Sequence, residues 1–293
     1  MTYFLQLVIS GLAMGSIYAF LALALVLIYR STGIVNFSQG EIAMFSTFVT
    51  WTFVQAGFPI LAALGMSIAL SFVAGGLLEF LLIRRVISRS DHHGPVIITV
   101  GLFMIFNNLA GAIWLYDPQV LRLAPIGVVN LGIVRITYQT LLTFAVLMAV
   151  LVALYFLFKH TRLGLAVRAT VSNRMSADLS GVDTSLMLML GWCLAATLGA
   201  LAGALVAPSL FLSPNMMAPV LAYALASAAL GGFDSLPGAV LGAMIIGVSE
   251  ALAGAYIGFI GSDLKILVPV GVLLVVLLVR PQGILGKKAV QRV

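Results

Sequence analysis

The densest group of residues able to do polar chemistry runs Gly33-Ile-Val-Asn36-Phe37-Ser38-Gln39-Gly40-Glu41, set between two apolar stretches. It offers amide, hydroxyl and carboxylate groups in nine positions, with glycines to free the backbone. Broken membrane helices use such groups, together with exposed helix ends, to hold polar or zwitterionic solutes. The same residues also suit a tight turn at a membrane surface, with Asn36 or Ser38 capping the next helix. Spacing does not choose between the two. A second candidate is Glu250, in IIGVSEALAGAY, with no charged residue within ten positions on either side. An intramembrane acid marks a functional site by default, although a structural hydrogen bond to a neighbouring helix would also explain it. Asn107 and Asn108 interrupt an apolar run and suit hydrogen bonds between helices, or the lining of a solute path. The third group is cationic: Lys159, Arg162, Arg168 and Arg174, within a polar loop at 159–184.

Catalytic patterns are missing from the sequence. No GxxxxGK[ST] phosphate loop occurs, so the chain has no means of hydrolysing ATP alone. His92 and His93 are adjacent and His160 is remote, so none has the i, i+4 spacing of helical metal ligands. Cys193 is the single cysteine, which leaves no internal disulfide and no second thiolate for a metal. Neither a metal nor a cofactor is expected, and the chain does not read as an enzyme.

These groups must be carried by membrane helices. The chain is 62% hydrophobic and 8% charged, about a third of the charge of a soluble domain, with mean hydropathy +1.18. Its apolar runs are continuous rather than alternating, which excludes an outer-membrane barrel. The expected fold is all-α, a polytopic transmembrane bundle of about eight to nine spans forming one domain over 1–293. The N-terminus lacks a basic leader and reads as a retained first span, 3–29. Further spans are expected to about Gln55, then at 60–83, 95–116, 138–158 and 185–207, the last closed by Pro208 and Pro214. The run 216–230 is short for a crossing and suits a re-entrant or tilted piece, and 238–260 and 264–279 complete the set.

The net charge of +6 is an orientation signal rather than a nucleic-acid footprint. Basic residues gather at Arg84, Arg85 and Arg89, at 159–174, and at Arg280, Lys287, Lys288 and Arg292. Placing all three clusters in the cytoplasm gives an outside N-terminus and nine crossings. Glycines spaced four apart, at Gly11/Gly15, Gly199/Gly203, Gly238/Gly242 and Gly254/Gly258, let helix backbones approach one another. Gly191 and Ala195 extend the second pair into a stripe of small residues.

Five segments together resemble the inner-membrane permease subunits of bacterial ABC importers for branched-chain, or hydrophobic, amino acids. They are GLAMGSIYAFLALALVLIYRSTGIVNFSQGEIAMF at 11–45, TVGLFMIFNNLA at 99–110, TRLGLAVRATVSNRMSADLSGVD at 161–183, GGFDSLPGAVLGAMIIGVSEALAGAY at 231–256 and VRPQGILG at 279–286. They occur in the family's order and span nearly the whole chain. The chain departs from the family at Ser38, where a small residue such as alanine is usual, and at Asp234, where glycine is usual. It also lacks the family's proline-containing basic stretch after Arg84-Arg85.

The resemblance implies a bacterial inner-membrane importer, with a second homologous permease, two cytoplasmic ATP-binding subunits and an extracytoplasmic solute-binding protein. It implies a cytoplasmic coupling helix between spans five and six, with Arg162, Arg168, Asn173, Ala177 and Gly181 at the ATPase contact. Substrate-path roles fall to Asn36, Phe37, Ser38, Gln39, Gly40 and Glu41, with Asn107 and Glu250. Relatives carrying urea, amides or aromatic compounds leave the solute open. An ion-gradient-driven transporter using Glu250 is the alternative from another class.

Overall fold

The computed structural model describes residues 2–87, 94–130, 132, 134–258, 264–280 and 282–286. Arg89, Lys287, Lys288 and Arg292, which entered the orientation argument, and His92 and His93, weighed as metal ligands, lie outside the described residues. The architecture is α-helical. The helices are α1 (Thr2–Thr32), α2 (Gln39–Gln55), α3 (Ile60–Leu78), α4 (Arg84–Ile87), α5 (Gly94–Trp114), α6 (Tyr138–His160), α7 (Arg162–Ser172), α8 (Arg174–Leu179), α9 (Thr184–Leu210), α10 (Met217–Gly231), α11 (Leu236–Tyr256) and α12 (Leu267–Val279). One π-helical turn, Glu79–Ile83, joins α3 to α4.

Among the described residues, six helical stretches are long and apolar enough to cross a membrane: α1, Ile60–Val86, α5, α6, α9 and α11. The remaining apolar runs form the shorter helices α2, α10 and α12, of 17, 15 and 13 residues. At ~1.5 Å per residue none of these reaches the roughly 30 Å of a hydrocarbon core. The polytopic helical class is as expected, with six long apolar spans.

The segment 117–137 contains an antiparallel hairpin, β1 (Val128–Asn130) with β2 (Arg135–Thr137), paired Val128 to Thr137 and Asn130 to Arg135. Two local expectations need correction. Pro208 does not close α9. The helix continues to Leu210 and ends where Phe211 takes φ 60°, because a proline near a C-terminus forfeits a single backbone bond. Gly258 lies beyond the end of α11, and a Cβ there would meet nothing within 4 Å among the described residues, so Gly254/Gly258 is not a packing pair.

The chain comprises two compact units. The first holds residues 1–26, 124–144 and 218–293. Here α1 and α11 meet through glycine: a Cβ on Gly15 would lie 2.7 Å from the Ala243 carbonyl, and one on Gly11 2.7 Å from Val248 Cα. Gly231, Gly238 and Gly242 bring α10 and α11 to backbone contact in the same way. The motif after α12 docks on the end of α10, with Ile284 and Leu285 N–H groups donating to the Leu230 and Gly231 carbonyls. Gly283, at φ 77°, makes the turn this requires, against the Ala229 carbonyl and Gly232. Gln6 bonds both backbone groups of Arg135, tying the hairpin to α1.

The second unit holds residues 27–123 and 145–217. In it α9 packs against both α2 and α3, and α2 also packs on α5. Buried serines join α2 to α3, with Ser67 Oγ donating to the Ser46 carbonyl (2.6 Å) and Ser71 Oγ to Ser46 Oγ (2.7 Å).

Candidate functional site

The predicted polar segment is a true helix break. α1 stops at Thr32, Gly33 turns the chain at φ 74°, and α2 starts at Gln39. Asn36 organises the turn: its Oδ1 accepts from the Ser38 N–H (3.1 Å) and hydroxyl (2.7 Å), while its Nδ2 donates to Gln39 Oε1 (3.2 Å). Such an Asx turn satisfies donors that a helix start otherwise leaves open. Gln39 Nε2 then reaches across to the Ala195 carbonyl of α9 at 2.8 Å.

The small-residue stripe of α9 makes that reach feasible. A Cβ on Gly199 would lie 2.8 Å from Gln39 Nε2, and one on Gly203 would collide with Thr47 Oγ1 and the Ala43 carbonyl. Asn36, Ser38, Gln39, Gly40 and Glu41 are all buried, while Phe37 is exposed.

Glu41, in the first turn of α2, is fully buried. Its Oε2 accepts from Asn107 Nδ2 of α5 at 3.2 Å. Asn107 Nδ2 also faces the Pro214 carbonyl (3.0 Å) and Asn215 Oδ1 (3.2 Å), while Glu41 Oε1 has no partner among the described residues. Aromatic packing fixes α5 beside this site, with Phe48 stacked on Trp114 at 4.9 Å and Phe45 edge-on to Phe106 and Trp114. Sequence reasoning named Asn107 but missed Asn215, which lies in a connecting loop rather than as a polar break in a helix. Asn108, named beside Asn107, is exposed and bonds back to the Met104 carbonyl of its own helix.

Glu250 belongs to the other unit. Its Oε2 accepts from the Tyr18 hydroxyl of α1 at 2.7 Å, and Tyr18 stacks on Tyr223 of α10 at 4.7 Å. Both tyrosines sit in apolar helices where nothing in the pattern distinguishes them from core residues, so they were missed. Glu79 is buried. It pairs with Arg84 at 2.9 Å, and Arg84 also donates to the Ser185 carbonyl at the start of α9.

The cationic loop folds as two capped helices. The Thr161 hydroxyl accepts from Gly164 N–H to start α7, Asn173 Oδ1 from Ser176 N–H to start α8, and Asp183 Oδ1 from Leu186 N–H to start α9. Thr184 adds a 2.6 Å bond to Asp178. Gly181 carries the turn at φ 81°. Arg162, Arg168, Asn173 and Gly181 are exposed, whereas Ala177 is buried within the loop. The most exposed apolar groups of the loop, Met175 (75% exposed) and Leu179 (85%), lie on α8 and were not singled out from the sequence.

Residues 7–277 match the family model described as "Branched-chain amino acid transport system / permease component". The chain is similar to the high-affinity branched-chain amino acid transport system permease protein LivH of Salmonella typhimurium, at 29% identity over 99% of this chain and 98% of that protein. It is equally similar, at 29% identity over the same shares, to the corresponding protein BraD of Pseudomonas aeruginosa. A probable LivH of Methanocaldococcus jannaschii is 28% identical over 93% of this chain and 89% of that one. Among solved structures, PsaBC from Streptococcus pneumoniae in complex with Fab shares the fold with a TM-score of 0.52, at 14% identity over 95% of this chain and 92% of that one. The protein therefore belongs to the branched-chain amino acid transport system permease family, as a multi-pass inner-membrane permease of an ABC-type importer and not an enzyme.

Proposed function

We propose that this chain forms half of the translocation pathway for branched-chain or other hydrophobic amino acids. ATP hydrolysis in two cytoplasmic partner subunits drives it, a second homologous permease completes the path, and an extracytoplasmic solute-binding protein delivers the solute. The observation that carries this reading is the loop 159–184. A pair of capped helices presents exposed Arg162 and Arg168 on α7 and exposed Met175 and Leu179 on α8, in a chain whose sequence holds no phosphate loop. A surface of that kind suits a groove on a soluble partner. Arg162, Arg168, Asn173 and Gly181 would meet the ATPase there, with Ala177 seating α8 from beneath.

Within the membrane, Asn36, Phe37, Ser38, Gln39, Gly40, Glu41 and Asn107 are assigned to the solute path in one unit and Glu250 in the other. In this conformation the break at 33–38 is closed, with all of its polar side chains but no apolar one buried, so contact with solute belongs to another state of the cycle. On this reading α2, α10 and α12 are tilted or partial crossings that bring the total to nine, with the N-terminus outside and the C-terminus inside.

The test is reconstitution. The permease, purified with a second permease and two ATPases, should accumulate leucine in proteoliposomes only with ATP and the binding protein present. Accumulation by this chain alone under an ion gradient would overturn the reading. A single cysteine at Gln119 should be labelled from outside intact cells and one at Arg174 should not. Outside labelling at Arg174 would reverse the orientation and remove the coupling loop from the ATPases.

A further inference from the structure

Beyond the buried break at 33–38, the first unit holds an open cavity of about 310 Å³, lined by the start of α1, the end of α11 and the turn before α12. This is near the lower end of the roughly 300–1,000 Å³ found for small-molecule sites. Its walls include the apolar Leu7, Met14 and Ala251, the hydroxyl of Ser10 and two charged side chains, Glu250 and Lys265. The two charges line one cavity without forming an ion pair with each other among the described residues. Tyr18 holds one oxygen of Glu250 and thereby fixes the carboxylate.

An isolated cation would meet repulsion from Lys265, and an isolated anion from Glu250. A single carboxylate is also too few oxygen ligands for a divalent metal. A small zwitterion satisfies both groups at once: an ammonium directed at Glu250, an anionic group at Lys265, and an apolar remainder against Leu7, Met14 and Ala251. Charge-assisted bonds of this kind are about twice as strong as neutral ones, and one group of each sign favours a ligand of no net charge.

We propose that this cavity is a binding site for the zwitterionic head of an α-amino acid, with Glu250 taking the ammonium and Lys265 the carboxylate. The proposal rests on the importer reading above and adds a site to it, at the end of the bundle where α1 begins. An ethanolamine phospholipid headgroup shares the same pair of charges and is the competing occupant that the experiment must exclude.

The experiment uses the assembled importer in nanodiscs of phosphatidylcholine and phosphatidylglycerol, without the solute-binding protein, and measures binding of radiolabelled leucine by scintillation proximity. Saturable, weak binding is expected. Glu250→Gln and Lys265→Met should each weaken it roughly tenfold, as loss of one charge-assisted contact would. Leucinamide, lacking the carboxylate, and 4-methylpentanoate, lacking the ammonium, should compete roughly tenfold less well than leucine. Glutamine retains an acceptor for Tyr18, and Lys265 lies in a turn, so the two variants test the site through independent parts of the fold.

Absence of saturable binding, or equal binding by wild type and both variants, would overturn the proposal. So would ethanolamine phospholipid that co-purifies with the wild type from cells and is lost from both variants. ATP-driven leucine uptake with the binding protein present separates the two levels. Wild-type protein that fails to take up any hydrophobic amino acid sinks the importer reading, whereas normal uptake with unaltered variants sinks only the cavity site.

Discussion

α1 and α6 are alike in sequence and opposite in place. Both are long, apolar and free of acidic residues, yet every residue of α1 from Gly15 to Ile28 is buried, while most of α6 faces outward, with Met148, Val152, Tyr155 and Phe156 exposed. Hydropathy cannot separate them, since lipid tails and a helical core are equally apolar. Glycine does. α1 carries Gly11 and Gly15, which admit a neighbouring backbone, whereas α6 has no glycine. The segments C-terminal to the two helices repeat the contrast: α1 leads into the closed polar turn at Asn36, and α6 into the exposed cationic pair α7 and α8.

The largest expected effect is at the α1–α11 seam. Gly15→Leu places a side chain against the Ala243 carbonyl and Met244 Cα, which are backbone and cannot be repacked. Folded permease should be lost from fluorescence-detected size exclusion, and a normal monodisperse peak would break the account of α1 as the buried helix. Next comes Arg168→Glu beyond α6, which should weaken ATPase retention by about 2–5 kcal/mol if the arginine is paired in the assembly, with membrane insertion unchanged. Unaltered retention per inserted permease would leave α7 a headgroup-facing helix.

Beyond α1, Asn36→Leu removes the acceptor for both Ser38 donors and the donor to Gln39. Stranding these buried groups should cost roughly 1–3 kcal/mol and depress solute uptake, with capture by the binding protein intact. Uptake at the wild-type rate would reduce the segment to a turn. The finest test is a matched pair. Ala24→Leu overpacks α1 and should cost roughly 1–3 kcal/mol by thermal melting, whereas Ala153→Leu on the exposed face of α6 should stay within about 0.5 kcal/mol. Equal shifts would mean that burial does not distinguish the two helices.

The runs that became helices were legible because membrane segments must satisfy their backbone internally, so apolar length alone announces them. Their ends were less so. Pro208 was read as a stop because its ring forbids a mid-helix position, but in the last turn the penalty is a single bond. The hairpin at 128–137 is only three residues a side, too short for alternation to declare itself. At the candidate site, Asn36, Gln39, Glu41 and Asn107 stood out as polar groups among apolar ones, and the structure gathers them within one unit. Asn215, Tyr18 and Tyr223 did not stand out, because an asparagine after Pro214 resembles a loop residue and a tyrosine in an apolar helix resembles core. Their meaning comes from the partner across the fold, which composition cannot name.

Arg84 has a mechanical consequence. It grips Glu79 in the π turn below α3 and the Ser185 carbonyl in the first turn of α9 at the same time. Translation of α3 along α9 would have to break charge-assisted bonds to both, while rotation about that end would stretch neither. The joint is therefore a pivot rather than a slide, and it stands where α9 emerges from the loop that carries α7 and α8. Under the proposed coupling role of α7 and α8, force entering there would become a change of angle between the two helices, with its largest displacement at their far ends.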